Sequence, residues 1–123
     1  MRAIIVDDSR AMRSMLRRIV DEMGFHVVAE AGNGREALER LAVTGPVELL
    51  LLDWNMPEMN GFELLCALRA DAKWASMRVM MVTTETEANQ ILRALDAGAD
   101  EYLFKPFHKD AVRGKLSLMG LIE

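Results

Sequence analysis

Several polar residues stand where apolar stretches end. Asp7 and Asp8 follow "AIIV", Asp53 closes "VELLLLD", Thr83 and Thr84 close "MMVTT", and Lys105 closes "EYLFK" just before Pro106. Brought together, three carboxylates repel and are costly to hold half-buried without compensation. A hard divalent cation removes that cost, and an oxygen-only ligand set with room for water suits Mg²⁺. A carboxylate beside such an ion and an ammonium is a nucleophile toward phosphorus. Asp53 is then the acceptor, forming an acyl phosphate, with Mg²⁺ and Lys105 neutralising the transferring oxygens and Thr83 hydrogen-bonded to one of them.

That chemistry requires four separate segments to end along one edge. "AIIV" (Ala3–Val6), "FHVVAEA" (Phe25–Ala31), "VELLLLD" (Val47–Asp53), "RVMMVT" (Arg78–Thr83) and "EYLFK" (Glu101–Lys105) read as strands. Between them lie stretches of helical period. The first carries Met12, Met15, Leu16, Ile19, Val20 and Met23 and ends at Gly24; the next, Gly34–Gly45, turns Ala37, Leu38 and Leu41 inward. Gly61 to about Ala70 carries Phe62, Leu64, Leu65 and Leu68. A helix from about Glu85 to Ala97 shows Ala88, Ile91, Leu92 and Leu95 on one face, and Lys109–Met119 forms the last, weakened by Gly114.

Strands alternating with helices across short loops predict an α/β fold: a doubly wound five-stranded parallel sheet of order 2-1-3-4-5, flavodoxin-like. In that order the strand sequence reverses beside Asp7, Asp8 and Asp53, where open α/β sheets place their ligands. The uniformly apolar "LLLL" before Asp53 fits a strand covered on both faces.

The bulk properties agree. A chain of 123 residues makes one domain, 1–123, and 51 % hydrophobic with 28 % charged residues is an ordinary globular balance. A net charge of −4 gives no global attraction to nucleic acid or anionic lipid. No apolar run reaches membrane-spanning length, and the single cysteine, Cys66, fits a reducing, cytoplasmic setting as a small buried apolar group.

Each site residue also has a plainer explanation. Asp7, Asp8 or Ser9 caps a helix, "DWNMPEMNG" is a turn, and Lys105 is a solvated strand end. Their coincidence at one edge of one sheet favours the chemical reading. The chain lacks the glycine-rich phosphate loop of nucleotide sites, and His26 and His108 are isolated surface positions. Most methionines are core packing, with Met56 and Met59 near the pocket mouth open to a partner. Arg10, Arg13, Arg17 and Arg18 form a solvated basic face, or else a docking face for a phosphodonor.

The segments "IIVDDSRAMR", "LLLLDWNMPEMNGFELL", "MMVTTE" and "AGADEYLFKPF" resemble the response-regulator receiver domain, and especially its stand-alone chemotaxis members. The resemblance implies that Asp53 is the phosphorylated aspartate. It makes Asp8, Asp53 and the backbone carbonyl of Asn55 direct Mg²⁺ ligands, with Asp7 acting through water. Lys105 pairs with the phosphoryl group across a cis bond to Pro106, Thr83 is the conformational hydroxyl, and Tyr102 is the aromatic that moves with it. The face made by the fourth helix, fifth strand and fifth helix reads the signal out. Asn55 and Glu85 tune the lifetime of the acyl phosphate. Thr84, where the family commonly has a smaller residue, narrows access to Asp53, and His108 is a weak cap for the last helix.

The resemblance implies a two-component signalling protein, monomeric, fed by a histidine kinase or histidine phosphotransfer protein and switching its affinity for a downstream protein. It implies no direct nucleic-acid or membrane partner and no enzymatic activity beyond the domain's own phosphorylation and dephosphorylation. The compact apolar tail "GKLSLMGLIE" favours a free-standing receiver over one excised from a longer, for example DNA-binding, regulator. A Mg²⁺-dependent aspartyl phosphatase is a remote alternative, since such enzymes carry an acid two residues after the nucleophile, where this chain has Asn55.

Overall fold

A computed structural model of the chain describes residues 1–84 and 90–123. Strands β1 (Arg2–Val6), β2 (His26–Ala31), β3 (Leu49–Asp53), β4 (Arg78–Thr84) and β5 (Glu101–Lys105) alternate with helices α1 (Arg10–Glu22), α2 (Gly34–Thr44), α3 (Gly61–Arg69), α4 (Ile91–Asp96) and α5 (Lys109–Leu118). A short 3-10 turn, Ala72–Trp74, lies between α3 and β4. The strands pair in parallel in the order β2-β1-β3-β4-β5, as the sequence predicts.

The unbroken leucine run now has its cause. Successive side chains of a strand point to opposite faces, and β3 has a core on each. Leu50 and Leu52 join Ile4 and Val6 of β1 against Ala37 and Leu41 of α2, Leu64, Leu65 and Leu68 of α3, and Ala94 of α4. Leu49 and Leu51 join Ala3 and Ile5 against Leu16 and Val20 of α1 and Val112 and Leu116 of α5. Two helices thus cover one face and three the other, so the central strand has no wet side on which to place a polar residue before its end. Among the described residues no helix is long and apolar enough to cross a membrane.

At the end of the sheet away from the strands' carboxyl termini, Arg69 closes the fold. Its guanidinium donates to the carbonyls of Gly98 (2.9 Å) and Met77 (2.8 Å), more weakly to those of Trp74 and Ala75 (both 3.3 Å), and to Asp100 Oδ2 (3.0 Å). Asp100 Oδ2 also accepts from the Val79 amide at 2.8 Å. One side chain therefore ties the end of α3 to the start of β4 and to the turn before β5. Gly98 adopts a φ of +112°, and a Cβ there would come to 2.8 Å from Arg69 Cγ, so the turn needs glycine twice over.

Three expectations are corrected. Leu92 and Leu95 of α4 face outward, at 74 % and 36 % exposure, whereas Ile91 and Ala94 are buried. The inward stripe is therefore Ile91 and Ala94, with Ala94 joining the core shared with β3. Cys66 is exposed on α3 rather than buried, because Leu64, Leu65 and Leu68 already fill the face turned to the sheet. Met80 and Met81 are fully buried, but Met12 and Met23 only border the core. The expected helix from Glu85 is described from Ile91 onward; Glu85 and Ala88 lie outside the described residues.

Candidate functional site

The carboxyl ends of β1, β3 and β5 deliver their polar residues to one place. Carboxylate oxygens of Asp7, Asp8 and Asp53 all lie within 4.8 Å of one another. Asp7 and Asp53 are buried, at 1 % and 5 % exposure, while Asp8 is exposed. Lys105 reaches across the sheet to join them. Its Nζ donates to Asp7 Oδ2 at 3.0 Å and stands 3.3 Å from Asp53 Oδ1.

The electrostatics follow from this crowding. Burial, then the charge of Asp7 and to a lesser degree that of Asp8, push the Asp53 carboxyl up from 3.8 to about 7 against the opposing pull of Lys105. Burial works against the Lys105 ammonium, yet its hydrogen bond to Asp7 and the charge of Asp53 outweigh that and raise its pKa. One ammonium for three carboxylates leaves the cluster short of positive charge. A hard cation fits that deficit, and the donors are the oxygen type it prefers.

The loops are built to hold the acids in place. The plain capping explanation is right for Ser9, whose Oγ accepts from the Met12 amide at 3.2 Å. It is incomplete for Asp7: one oxygen, Oδ1, accepts from the Ser9 amide at 2.9 Å, leaving Oδ2 for Lys105. Arg13, expected on a solvated face, instead folds back, donating to the Asp7 carbonyl at 2.6 Å and to Glu30 of β2 at 3.1 Å. Arg17 also pairs with Glu30, at 2.7 Å, but like Arg10 and Arg18 it stays exposed.

The loop after Asp53 closes tightly. The Gly61 amide donates to the Trp54 carbonyl at 2.9 Å, and a Cβ at Gly61 would lie 2.0 Å from the Asp53 carbonyl oxygen. The side of the loop is tied to α2. Asn33 Oδ1 caps that helix by accepting from the Glu36 amide (2.9 Å), while its Nδ2 donates to Glu58 Oε2 (3.2 Å). Glu58 holds a left-handed φ of 64°. The Gly34 amide donates to the Met59 carbonyl at 2.9 Å, and the Met59 side chain packs directly over Gly34. Met56 and Met59 are partly buried against the core. Neither Gly61 nor Asn33 stood out in the sequence as a site residue, although an asparagine three residues before Glu36 has the spacing of a helix cap.

The remaining expected residues that the structure describes lie outside the cluster of carboxylates. Asn55 is exposed at the start of the loop. Thr84 is partly buried and pairs in register with Lys105. Thr83 is fully buried, and its Oγ1 has no hydrogen-bond partner among the described residues. Tyr102 is half-buried, its ring tilted against Phe104 at 5.1 Å and capped by Lys115 Nζ at 4.0 Å. The Lys105–Pro106 bond is cis. His108 precedes α5 without a side-chain cap. Glu85 lies outside the described residues.

The chain is similar to known proteins in sequence and in fold. Residues 3–117 match the family described as response regulator receiver domain. The chain is 36 % identical over 119 residues to the chemotaxis protein CheY1 of Helicobacter pylori, covering 97 % of this chain and 96 % of that one. It is 40 % identical over 116 residues to the chemotaxis protein CheY homolog of Campylobacter jejuni, covering 94 % and 89 %. Among solved structures, chemotaxis protein CheY4 of Vibrio cholerae superposes with a TM-score of 0.84 at 31 % identity, covering 95 % of this chain and 96 % of that one.

Proposed function

The chain belongs to the response regulator receiver domain family, and from that premise we propose that residues 1–123 form one phosphorylation-operated receiver whose phosphoacceptor is Asp53. A histidine kinase or histidine phosphotransfer protein supplies the phosphoryl group. A carboxylate oxygen of Asp53 attacks phosphorus, the P–N bond of the phosphohistidine breaks, and the imidazole leaves. The observation that carries this reading is Lys105 bridging Asp7 and Asp53 inside a cluster of three carboxylates.

Asp7, Asp8 and Asp53, with the backbone carbonyl of Asn55, would hold Mg²⁺. Bound there, it supplies positive charge to the oxygens of the transferring group. Lys105 already lies against Asp53 and neutralises another oxygen. Thr83 has a hydroxyl free, among the described residues, to donate to the phosphoryl group. Its displacement opens space for Tyr102, and the face of α4, β5 and α5 changes its affinity for a downstream protein. Asn55, Glu85 and Thr84 set how readily water reaches the acyl phosphate. The receiver acts as a cytoplasmic monomer with no direct nucleic-acid or membrane partner.

Incubation with a small-molecule acyl phosphate and Mg²⁺ tests the reading. One phosphoryl group per chain is expected on Asp53, lost with Asp53→Asn and prevented by chelation. Undiminished labelling of that variant places the nucleophile elsewhere.

A further inference from the structure

β5 is an edge strand, and Lys115 of α5 reaches to it. Lys115 Nζ stands 3.1 Å from Glu101 Oε1 and 4.0 Å from the centroid of the Tyr102 ring. The same Glu101 oxygen accepts from the Tyr102 amide at 3.0 Å. A single carboxylate oxygen thus anchors both the backbone of Tyr102 and the cation lying on its ring. The pair is only partly wet, with side-chain exposures of 24 % for Lys115 and 17 % for Glu101. Beyond the ring opens a groove of about 630 Å³ lined by Tyr102, Phe104, Pro106, Phe107, His108 and Lys115.

We infer that Lys115 and Glu101 form a latch that holds the Tyr102 ring in its resting place and so sets the threshold of the switch. The inference rests on the reading of Tyr102 as the moving aromatic. The conformation that carries the latch is the one in which Thr83 Oγ1 lacks a partner among the described residues, which is the state expected before a phosphoryl group arrives. A cation lying on a ring face is attracted by the ring's quadrupole, more strongly where water is partly excluded. Moving the ring breaks that contact, so whatever Lys115 adds to the resting state must be overcome at Asp53. Because linkage is reciprocal, weakening the latch tightens the binding of any group that favours the switched state. Lys115 is a positioning residue here and touches none of the reacting atoms.

The chain has a single tyrosine, so 3-fluorotyrosine gives one fluorine NMR signal that reports on Tyr102. Beryllofluoride with Mg²⁺, a phosphoryl mimic, is titrated into the full chain and into Lys115→Met, Lys115→Arg and Glu101→Gln. The wild-type signal should move on titration. Lys115→Met should start nearer the activated position and reach its midpoint at a beryllofluoride concentration roughly three- to tenfold lower, the size of one partly desolvated cation–π contact. Lys115→Arg should behave as wild type, because it retains a cation over the ring. Glu101→Gln should shift the midpoint the same way by less, and it decides the matter if Lys115→Met fails a thermal-unfolding check. A Lys115→Met signal and midpoint equal to wild type, or an arginine variant that behaves as the methionine one does, overturns the latch. A wild-type signal indifferent to beryllofluoride overturns the Tyr102 switch itself, and the latch with it.

Discussion

Gly61 lies so close to Asp53 that a methyl group on its Cα would come to 2.0 Å from the Asp53 carbonyl oxygen. The obstruction is backbone, so no rotamer change relieves it. The first residue of α3 thus sets how the loop leaves the phosphoacceptor.

Gly61→Ala should therefore do more than add a methyl group. The loop must back away, at a cost of roughly 1–3 kcal/mol, as for overpacked interiors, and the Asn55 carbonyl must move with it. Urea unfolding measures the first effect and Mg²⁺ titration of tryptophan fluorescence the second. Trp54, buried and stacked on Phe62 at 5.2 Å, is the reporter beside the site. An alanine variant with unchanged stability and unchanged Mg²⁺ affinity would show that the loop yields freely.

Asp53 carries a pH signature. Its carboxyl is raised from 3.8 to about 7, so the folded protein keeps a proton that the unfolded chain has already released. The associated stability is whole below about 4 and is lost as pH rises through about 7. In metal-free buffer, Asp53→Asn should match wild type in stability near pH 4 and exceed it by roughly 2–4 kcal/mol near pH 8. Mg²⁺ should erase that advantage, because it binds wild type with the acid ionised. Denaturant midpoints across pH, with and without Mg²⁺, check all three arms. A constant gap at every pH would mean that burial does not perturb Asp53.

Lys105→Ala removes the cation between Asp7 and Asp53 and leaves two buried carboxylates facing each other. The metal-free variant should lose about 3 kcal/mol, the usual cost of stranding a buried charge. Mg²⁺ neutralises the same oxygens, so its stabilising effect should be larger on the variant than on wild type. Labelling at Asp53 should persist at a reduced rate, with partner affinity no longer following it. Thermal melts at fixed Mg²⁺ separate the cases, and equal Mg²⁺-induced shifts in both proteins would refute a shared electrostatic role.

Arg69 serves five acceptors with one planar group. Lysine cannot reproduce that fork. Arg69→Lys should cost nearly as much as Arg69→Ala, about 2–4 kcal/mol by urea unfolding, while labelling of Asp53 in the folded fraction is unaffected. A lysine variant close to wild type would show that charge, rather than geometry, is what Asp100 and its neighbours require.

Much of the architecture was legible because two cores flank the sheet. That makes the interior strands β1 and β3 apolar up to their last residues, so a carboxylate is conspicuous where they stop. Asp7 and Asp53 were found in this way and Lys105 as the polar end of the edge strand β5, and the sheet order then put them together. What escaped depends on distances across the fold. Periodicity places Arg13 off the apolar stripe of α1, yet a long side chain can turn back to the Asp7 carbonyl. The same limit applies to α4, where Leu92, Leu95, Ile91 and Ala94 offer two adjoining stripes and only the packed sheet selects Ile91 and Ala94. Gly61 looked like an ordinary helix start because nothing local announces how near Asp53 comes.

The buried hydroxyl of Thr83, without a partner among the described residues, has a consequence for the proposed switch. Such a group costs about 1–3 kcal/mol, and on that proposal the discomfort belongs to the dormant form. Activation on the proposed pathway therefore relieves an existing grievance instead of introducing a new one. On that proposal part of the strain that phosphorylation releases is stored before any messenger arrives, set against the hold of Lys115 on the Tyr102 ring.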